Sequence, residues 1–177
     1  MATATASRPT AAISHERLLL GAATLFTVAV LLHNGDHVRR GTGSLSRDVF
    51  WVGTSAIFLE VAIVVVAFAR HRWAPFIAAA GGYGLALGYF VVHFLPQRSW
   101  LSDSFPSAIN LSPLSWAAGS LELAASAAVG TAGLIVLRSG AWRGDGRIAD
   151  GMRHPVAVAM IAGNAVILVA SLVQLAR

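Results

Sequence analysis

Five long apolar runs, separated by short polar segments, account for most of the 177 residues of this chain. They cover residues 18–37, 49–69, 74–95, 114–137 and 154–176. Each run is long enough to cross a bilayer core of about 30 Å as a helix that rises about 1.5 Å per residue. The pattern therefore predicts an all-α integral membrane protein with five transmembrane helices. We expect a single bundle over residues 18–177, preceded by a flexible N-terminal tail of residues 1–17.

The composition supports a membrane protein and excludes several chemistries. Hydrophobic residues make up 56% of the chain and charged residues only 12%, which is too apolar for an ordinary soluble domain. All 13 basic residues are arginine, and the absence of lysine excludes a Schiff base to retinal or pyridoxal. The absence of cysteine excludes disulfides, thiolate metal sites and iron–sulfur clusters. The arginine-only, Ala- and Gly-rich composition is consistent with a GC-rich bacterial genome.

The arginine residues predict the orientation and argue against a nucleic-acid partner. They flank the spans, and no basic segment is interleaved with aromatic residues as in nucleic-acid-binding proteins. Eight lie on the side of the N-terminus and five on the other side, which predicts a cytoplasmic N-terminus and an external C-terminus in the cell membrane. The first group consists of Arg8, Arg17, Arg70, Arg72, Arg138, Arg143, Arg147 and Arg153.

One pattern of ionisable residues occurs twice within the apolar runs. Leu32-His33 is followed 27 positions after the histidine by Glu60, and Val92-His93 is followed 29 positions after it by Glu122. This spacing suggests an internal repeat of two tandem helix hairpins, spans 1–2 and 3–4, forming a four-helix bundle with a fifth helix beside it. Chance similarity between apolar segments is the alternative. Small residues in the third and fourth spans provide helix faces for close packing or for a homo-oligomer.

Six ionisable side chains are predicted to share one half of the membrane, and such residues usually mark a functional site. In a continuous helix His33 and His37 lie one turn apart on one face, with Asp36 beside them. With His93, these residues form a candidate set of metal ligands, provided that the helix does not end at Gly35. Imidazole and carboxylate ligands suit a divalent transition metal, Zn, Fe, Mn or Cu, better than calcium. The loop over residues 96–113 is predicted to cap this end.

Glu60 and Glu122 are the candidate catalytic residues. Each carboxylate lies well inside a span, where it serves as a further metal ligand, a general base or a proton carrier. The alternative is that both are protonated and donate hydrogen bonds between helices.

Four functions fit this pattern. The favoured one is a transition-metal-binding membrane protein, with the question of catalysis left open and a small-molecule or lipid substrate unidentified. A second is an electron carrier that binds haem b between His33 or His37 and His93. A third is a proton- or cation-coupled transporter in which Glu60 and Glu122 carry protons. The fourth is an accessory membrane subunit whose polar cluster only stabilises the bundle.

Overall fold

The computed structural model describes residues 10–41, 45–96, 100–108 and 111–176, with side chains from His15 onward. All regular secondary structure in these ranges is helical, and none of the residues described forms a strand. The helices are α1 (Thr10–Arg40), α2 (Arg47–Phe68), α3 (Ala74–Tyr89), α4 (Pro113–Ser139), α5 (Ile148–Arg153) and α6 (Pro155–Leu175). A π-helical turn, Phe90–Phe94, extends α3, and a short 3-10 helix, Phe105–Ser107, precedes α4.

Five of these helices are long and apolar enough to cross a membrane, which confirms the five predicted spans. They are α1, α2, α3 with its π-helical turn, α4 and α6. The first helix begins at Thr10, inside the segment predicted to be a flexible tail, whereas residues 1–9 of that tail lie outside the described residues. It continues without interruption through Gly35 to Arg40, so His33 and His37 share one helix face.

Local sequence signals explain where the helices begin and end. Ser46 and Ser112 cap α2 and α4, each accepting a hydrogen bond from a backbone N–H three residues later. Pro113 follows the cap of α4 as its first residue, and Pro155 begins α6 in the same way. Helix α4 ends at Ser139 and is capped by Gly140, whose φ of 61° lies in the left-handed region that favours glycine.

Helices α3 and α4 make the most extensive contact among the described helices, and this contact depends on glycine. A Cβ atom added at Gly82 would lie 2.6 Å from the backbone nitrogen of Gly130, and one added at Gly133 would lie 2.6 Å from that of Ala79. Such distances allow only a hydrogen in place of a side chain, so the two backbones approach directly. Gly84 and Gly88, by contrast, have no described neighbour within 4 Å of an added Cβ atom.

Buried apolar residues occur along the whole bundle, whereas the buried ionisable residues of the described part collect toward one end. The apolar core includes Phe26 of α1, Ile63 and Val64 of α2, Val129 of α4 and Met160 of α6. The end at which α1 and α3 finish and α2 and α4 begin is here called the histidine end. The buried ionisable residues all lie toward it: His33, Asp36, Glu60, His93 and Glu122. The fold thus brings the ionisable groups of four spans together, as the sequence predicts.

Candidate metal centre

Three histidines from two helices form a buried cluster at the histidine end, here called the triad. His33 and His37 come from successive turns of α1, and His93 comes from the π-helical turn that ends α3. The Nε2 atoms of His33 and His37 are 3.0 Å apart, and the ring centroids of His33 and His93 are 4.8 Å apart. One nitrogen from each ring lies within 4.8 Å of the other two, so the triad could hold a metal ion.

Asp103 anchors the His93 ring. The backbone oxygen of Asp103 accepts a hydrogen bond from His93 Nδ1 at 3.2 Å, and its carboxylate Oδ2 lies 3.4 Å from the same nitrogen. Because a carbonyl oxygen can only accept, Nδ1 carries a proton, and the lone pair of the neutral ring is on Nε2. Metal-binding histidines commonly donate their other N–H to a carboxylate or carbonyl in this way.

The hydrogen bonds of the other two rings form a chain. Arg40 Nη2 lies 2.7 Å from His37 Nδ1, and a guanidinium can only donate, so His37 Nδ1 accepts. In the neutral ring the proton is then on Nε2, which donates to Nε2 of His33. His33 therefore carries its proton on Nδ1, which is buried without a hydrogen-bond partner among the described residues.

Arg40 connects the triad with two carboxylates. Its guanidinium lies 2.8 Å from Asp103 and 3.2 Å from Asp36. Burial by itself would raise the pKa of the Asp103 carboxyl, but hydrogen bonds from His93 and Arg40, together with the positive charge of Arg40, hold this pKa well below its usual range. Asp103 is therefore a carboxylate at neutral pH. Asp36 also pairs with Arg39 at 2.7 Å, and it faces the arginines instead of joining the triad.

The two buried glutamates lie on either side of Tyr89. Glu122 Oε2 lies 3.5 Å from Nε2 of His33. Glu60 accepts a hydrogen bond from the hydroxyl of Tyr89, and Glu122 also lies close to that hydroxyl. Glu60 and Glu122 are 2% and 1% exposed, so both carboxyl groups are withdrawn from solvent. Each interacts with a residue from the other predicted repeat.

An aromatic side chain covers the triad from the loop between α3 and α4. The ring of Phe105 lies 5.0 Å from that of His93 and 5.3 Å from that of Trp116, centroid to centroid. The guanidinium of Arg40 lies over its face at 5.8 Å. A Cβ atom added at Gly119 would approach the Phe105 ring to 2.6 Å, so glycine makes room for this cover. The described part of the 96–113 loop thus caps the site.

The structure brings together most of the residues that the sequence predicts for the site. His33, His37 and His93 meet directly, and Glu122 lies beside His33. Glu60 is joined to the cluster through Tyr89, and Asp36 through Arg40.

Sequence reasoning missed three residues at the site: Tyr89, Asp103 and Arg40. Tyr89 precedes His93 by one helical turn, a spacing that could have identified it. Asp103 lies in a loop, where no periodicity indicates which way a side chain faces. Arg40 is one of the arginines that flank the spans, and its position in the sequence does not show that its side chain reaches into the site.

Comparison of the chain with known proteins gives no match. No protein-family model fits the sequence, and neither a curated protein nor a solved structure is significantly similar to it. The function is therefore inferred from the chemistry of the site itself.

Proposed function

We propose that this multi-span membrane protein binds one divalent transition-metal ion through His33, His37 and His93. The observation that carries the proposal is the convergence of three imidazoles, with one nitrogen from each within 4.8 Å of the others. A metal about 2.0–2.1 Å from each nitrogen in tetrahedral geometry requires the nitrogens to be roughly 3.3 Å apart. The 3.0 Å between the Nε2 atoms of His33 and His37 is close to this requirement.

The donor set favours zinc, iron, manganese or copper. Neutral imidazoles suit these ions, whereas calcium prefers a shell of oxygen ligands. Three histidines leave a further coordination position open, as in catalytic zinc sites. Glu122, at 3.5 Å from His33, is the nearest carboxylate that could fill it.

Metal binding requires a change at His37. If the ion binds His37 through Nε2, the proton on that nitrogen must move to Nδ1, which then no longer accepts from Arg40. Asp103 Oδ2 lies 3.9 Å from this Nδ1 and would become its acceptor. Asp103 would then orient two of the three ligands.

The two glutamates are proposed to act beside the metal. Glu122 would serve as a ligand or as the general base next to His33, and Glu60 would hold or pass a proton through the Tyr89 hydroxyl. Asp36 would act on the site from a distance, by positioning Arg40. The arginine distribution supports a cytoplasmic N-terminus, with the triad near the external face of the cell membrane.

The packing of the triad favours a metal ion over haem. A haem bound between two histidines must fit its macrocycle between their rings. The rings of His33 and His93 instead meet edge to face with centroids 4.8 Å apart, and the Phe105 ring lies against His93. This arrangement accommodates a single ion without displacing helices.

Metal analysis of the purified protein tests the proposal. Wild type, the His33→Ala/His93→Ala double variant and a His71→Ala control would be expressed with added metals, purified in detergent and analysed by ICP-MS. His71 lies in the turn between α2 and α3, away from the triad. We expect one metal ion per chain in wild type and in the control, and none in the double variant. Equal metal content in all three would overturn the proposal, and a Soret band in the absorption spectrum would assign the site to haem.

A further inference from the structure

A cavity of about 180 Å³ adjoins the triad. It lies between α2 and the three helices α1, α3 and α6. The buried residues of α2 are concentrated in its second half, so its first half stands away from the bundle and leaves this space. Most of the wall is apolar, formed by side chains that include Val49, Phe50, Leu85 and Ile167.

Glycines widen the cavity where it opens. Gly53 of α2 and Gly84 and Gly88 of α3 line it, and an added Cβ atom at any of them would meet no described atom within 4 Å. All three are exposed at the surface of the chain. Gly84 is the central residue of the span Ala74–Phe94, so an opening beside it faces the hydrocarbon of the bilayer. A ligand can therefore enter from the membrane.

One wall of the cavity is polar. His33, His37 and His93 line it together with Asn34, Glu60 and Tyr89. Oxygen Oε2 of Glu60 is buried and makes no hydrogen bond to the residues described, although the Asn34 side chain lies nearby. A buried carboxyl oxygen without a partner is costly, and a ligand that supplies a hydrogen-bonding group would remove this cost.

We propose that the cavity binds a neutral single-chain amphiphile, with its apolar chain against α2, α3 and α6. Its head, a hydroxyl or carbonyl oxygen, would bond with Glu60 and Tyr89. An action of the triad's metal ion on this molecule rests on the proposed function. Binding of the molecule in the cavity does not rest on it.

Depth and charge select this class of ligand. Glu60 is 13 residues beyond the start of α2 at Arg47, which places it about 20 Å along the helix. A phosphate headgroup cannot reach that depth in the membrane without losing its hydration. An anionic head would also meet Glu60, whereas a hydroxyl head can both accept from and donate to the groups on the polar wall, and a carbonyl head can accept.

Photolabelling tests the proposal. The probe is a long-chain fatty alcohol with a diazirine in its chain and a terminal alkyne, crosslinked to the full-length protein in detergent and mapped by mass spectrometry. We expect labelling of α2 and α3 that unlabelled hexadecan-1-ol competes away and hexadecane does not. In Gly84→Leu, whose side chain takes up the space through which the ligand enters, labelling should fall about tenfold, which corresponds to a loss of about 1.4 kcal/mol in binding.

Gly21→Leu is the matched control. Gly21 also has open space around it, but it lies on α1 outside the cavity lining. Equal labelling of the two leucine variants would overturn the proposal. Competition by hexadecane as strong as that by hexadecan-1-ol would overturn it too, since no head would then be recognised. Stronger competition by phosphatidylglycerol would replace the amphiphile with a phospholipid.

Metal content measured on the same samples separates the two proposals. Specific labelling of a wild-type protein that holds no metal would overturn the proposed function and support the cavity ligand. A wild type that holds metal, with both leucine variants labelled alike, would overturn only the cavity ligand. If Gly84→Leu retains its metal but loses the label, the result supports both the proposed function and the cavity ligand.

Discussion

His33 Nε2 and Glu122 Oε2 lie 3.5 Å apart, joining the first span to the fourth. The sequence places these two residues in different predicted repeats, each with its own histidine and its own glutamate. In the structure the histidine of the first unit meets the glutamate of the second, and Glu60 of the first unit meets Tyr89 of the second. The site therefore needs both hairpins, and neither hairpin alone could form it.

Asp103→Asn should weaken metal binding. The carboxylate lies 3.4 Å from Nδ1 of His93, and loss of a group that supports a ligand typically costs about 10- to 100-fold in metal affinity. A competition titration with a metal-sensitive dye would measure the change. Asp48→Asn is the control, because Asp48 is an exposed residue in the first turn of α2. An unchanged affinity in Asp103→Asn would show that this carboxylate does not support the site.

The stabilising effect of Asp103 should depend on pH. Its pKa is lower in the folded protein than the ordinary value of 3.8, so its contribution to stability is fully present above that value and is lost as the pH falls through the lower folded pKa. The difference in Tm between wild type and Asp103→Asn, measured without added metal, should be constant from about pH 8 to 5 and shrink only below about pH 4. A difference that already shrinks between pH 7 and 5 would contradict this assignment.

Tyr89→Phe should destabilise the protein more than Tyr83→Phe. Removal of the Tyr89 hydroxyl leaves a buried Glu60 oxygen without its partner, at a cost of about 1–3 kcal/mol. The Tyr83 hydroxyl bonds with Thr131 at an exposed position, and Thr131 keeps its hydrogen bond to the backbone oxygen of Ala127 when that hydroxyl is removed. Thermal unfolding in detergent, followed by circular dichroism, compares the two. Equal shifts in Tm would argue against a special role of the Tyr89–Glu60 bond.

Gly82→Ala should destabilise the bundle, and Gly84→Ala should not. The first substitution forces a methyl group to within 2.6 Å of the Gly130 backbone, and overpacking of this kind costs about 1–3 kcal/mol. The second places its methyl group in open space two residues along the same helix. Unfolding in a denaturing detergent would compare their stabilities. Loss of stability in Gly84→Ala alone would mean that the α3–α4 contact lies elsewhere.

Length, hydropathy and helical periodicity are enough to predict the five spans and the position of the polar groups within them. Runs of about 20 apolar residues have few alternatives to a membrane helix, because the bilayer leaves no other way to satisfy the backbone. The i, i+4 spacing placed His33 and His37 on one face once α1 continued through Gly35. These are local properties, fixed by length, hydropathy and helical periodicity.

Which of these residues meet depends on how the helices pack against one another. The packing of both α1 and α3 against α4 brings His93 to the α1 pair and Glu122 to His33. It also decides that Gly82 and Gly130 form the close contact, while Gly84, equally small, borders a cavity. Asp103 reaches His93 through a loop that folds back over the site. Such contacts depend on helix rotation and loop path, which a periodic sequence pattern leaves undetermined.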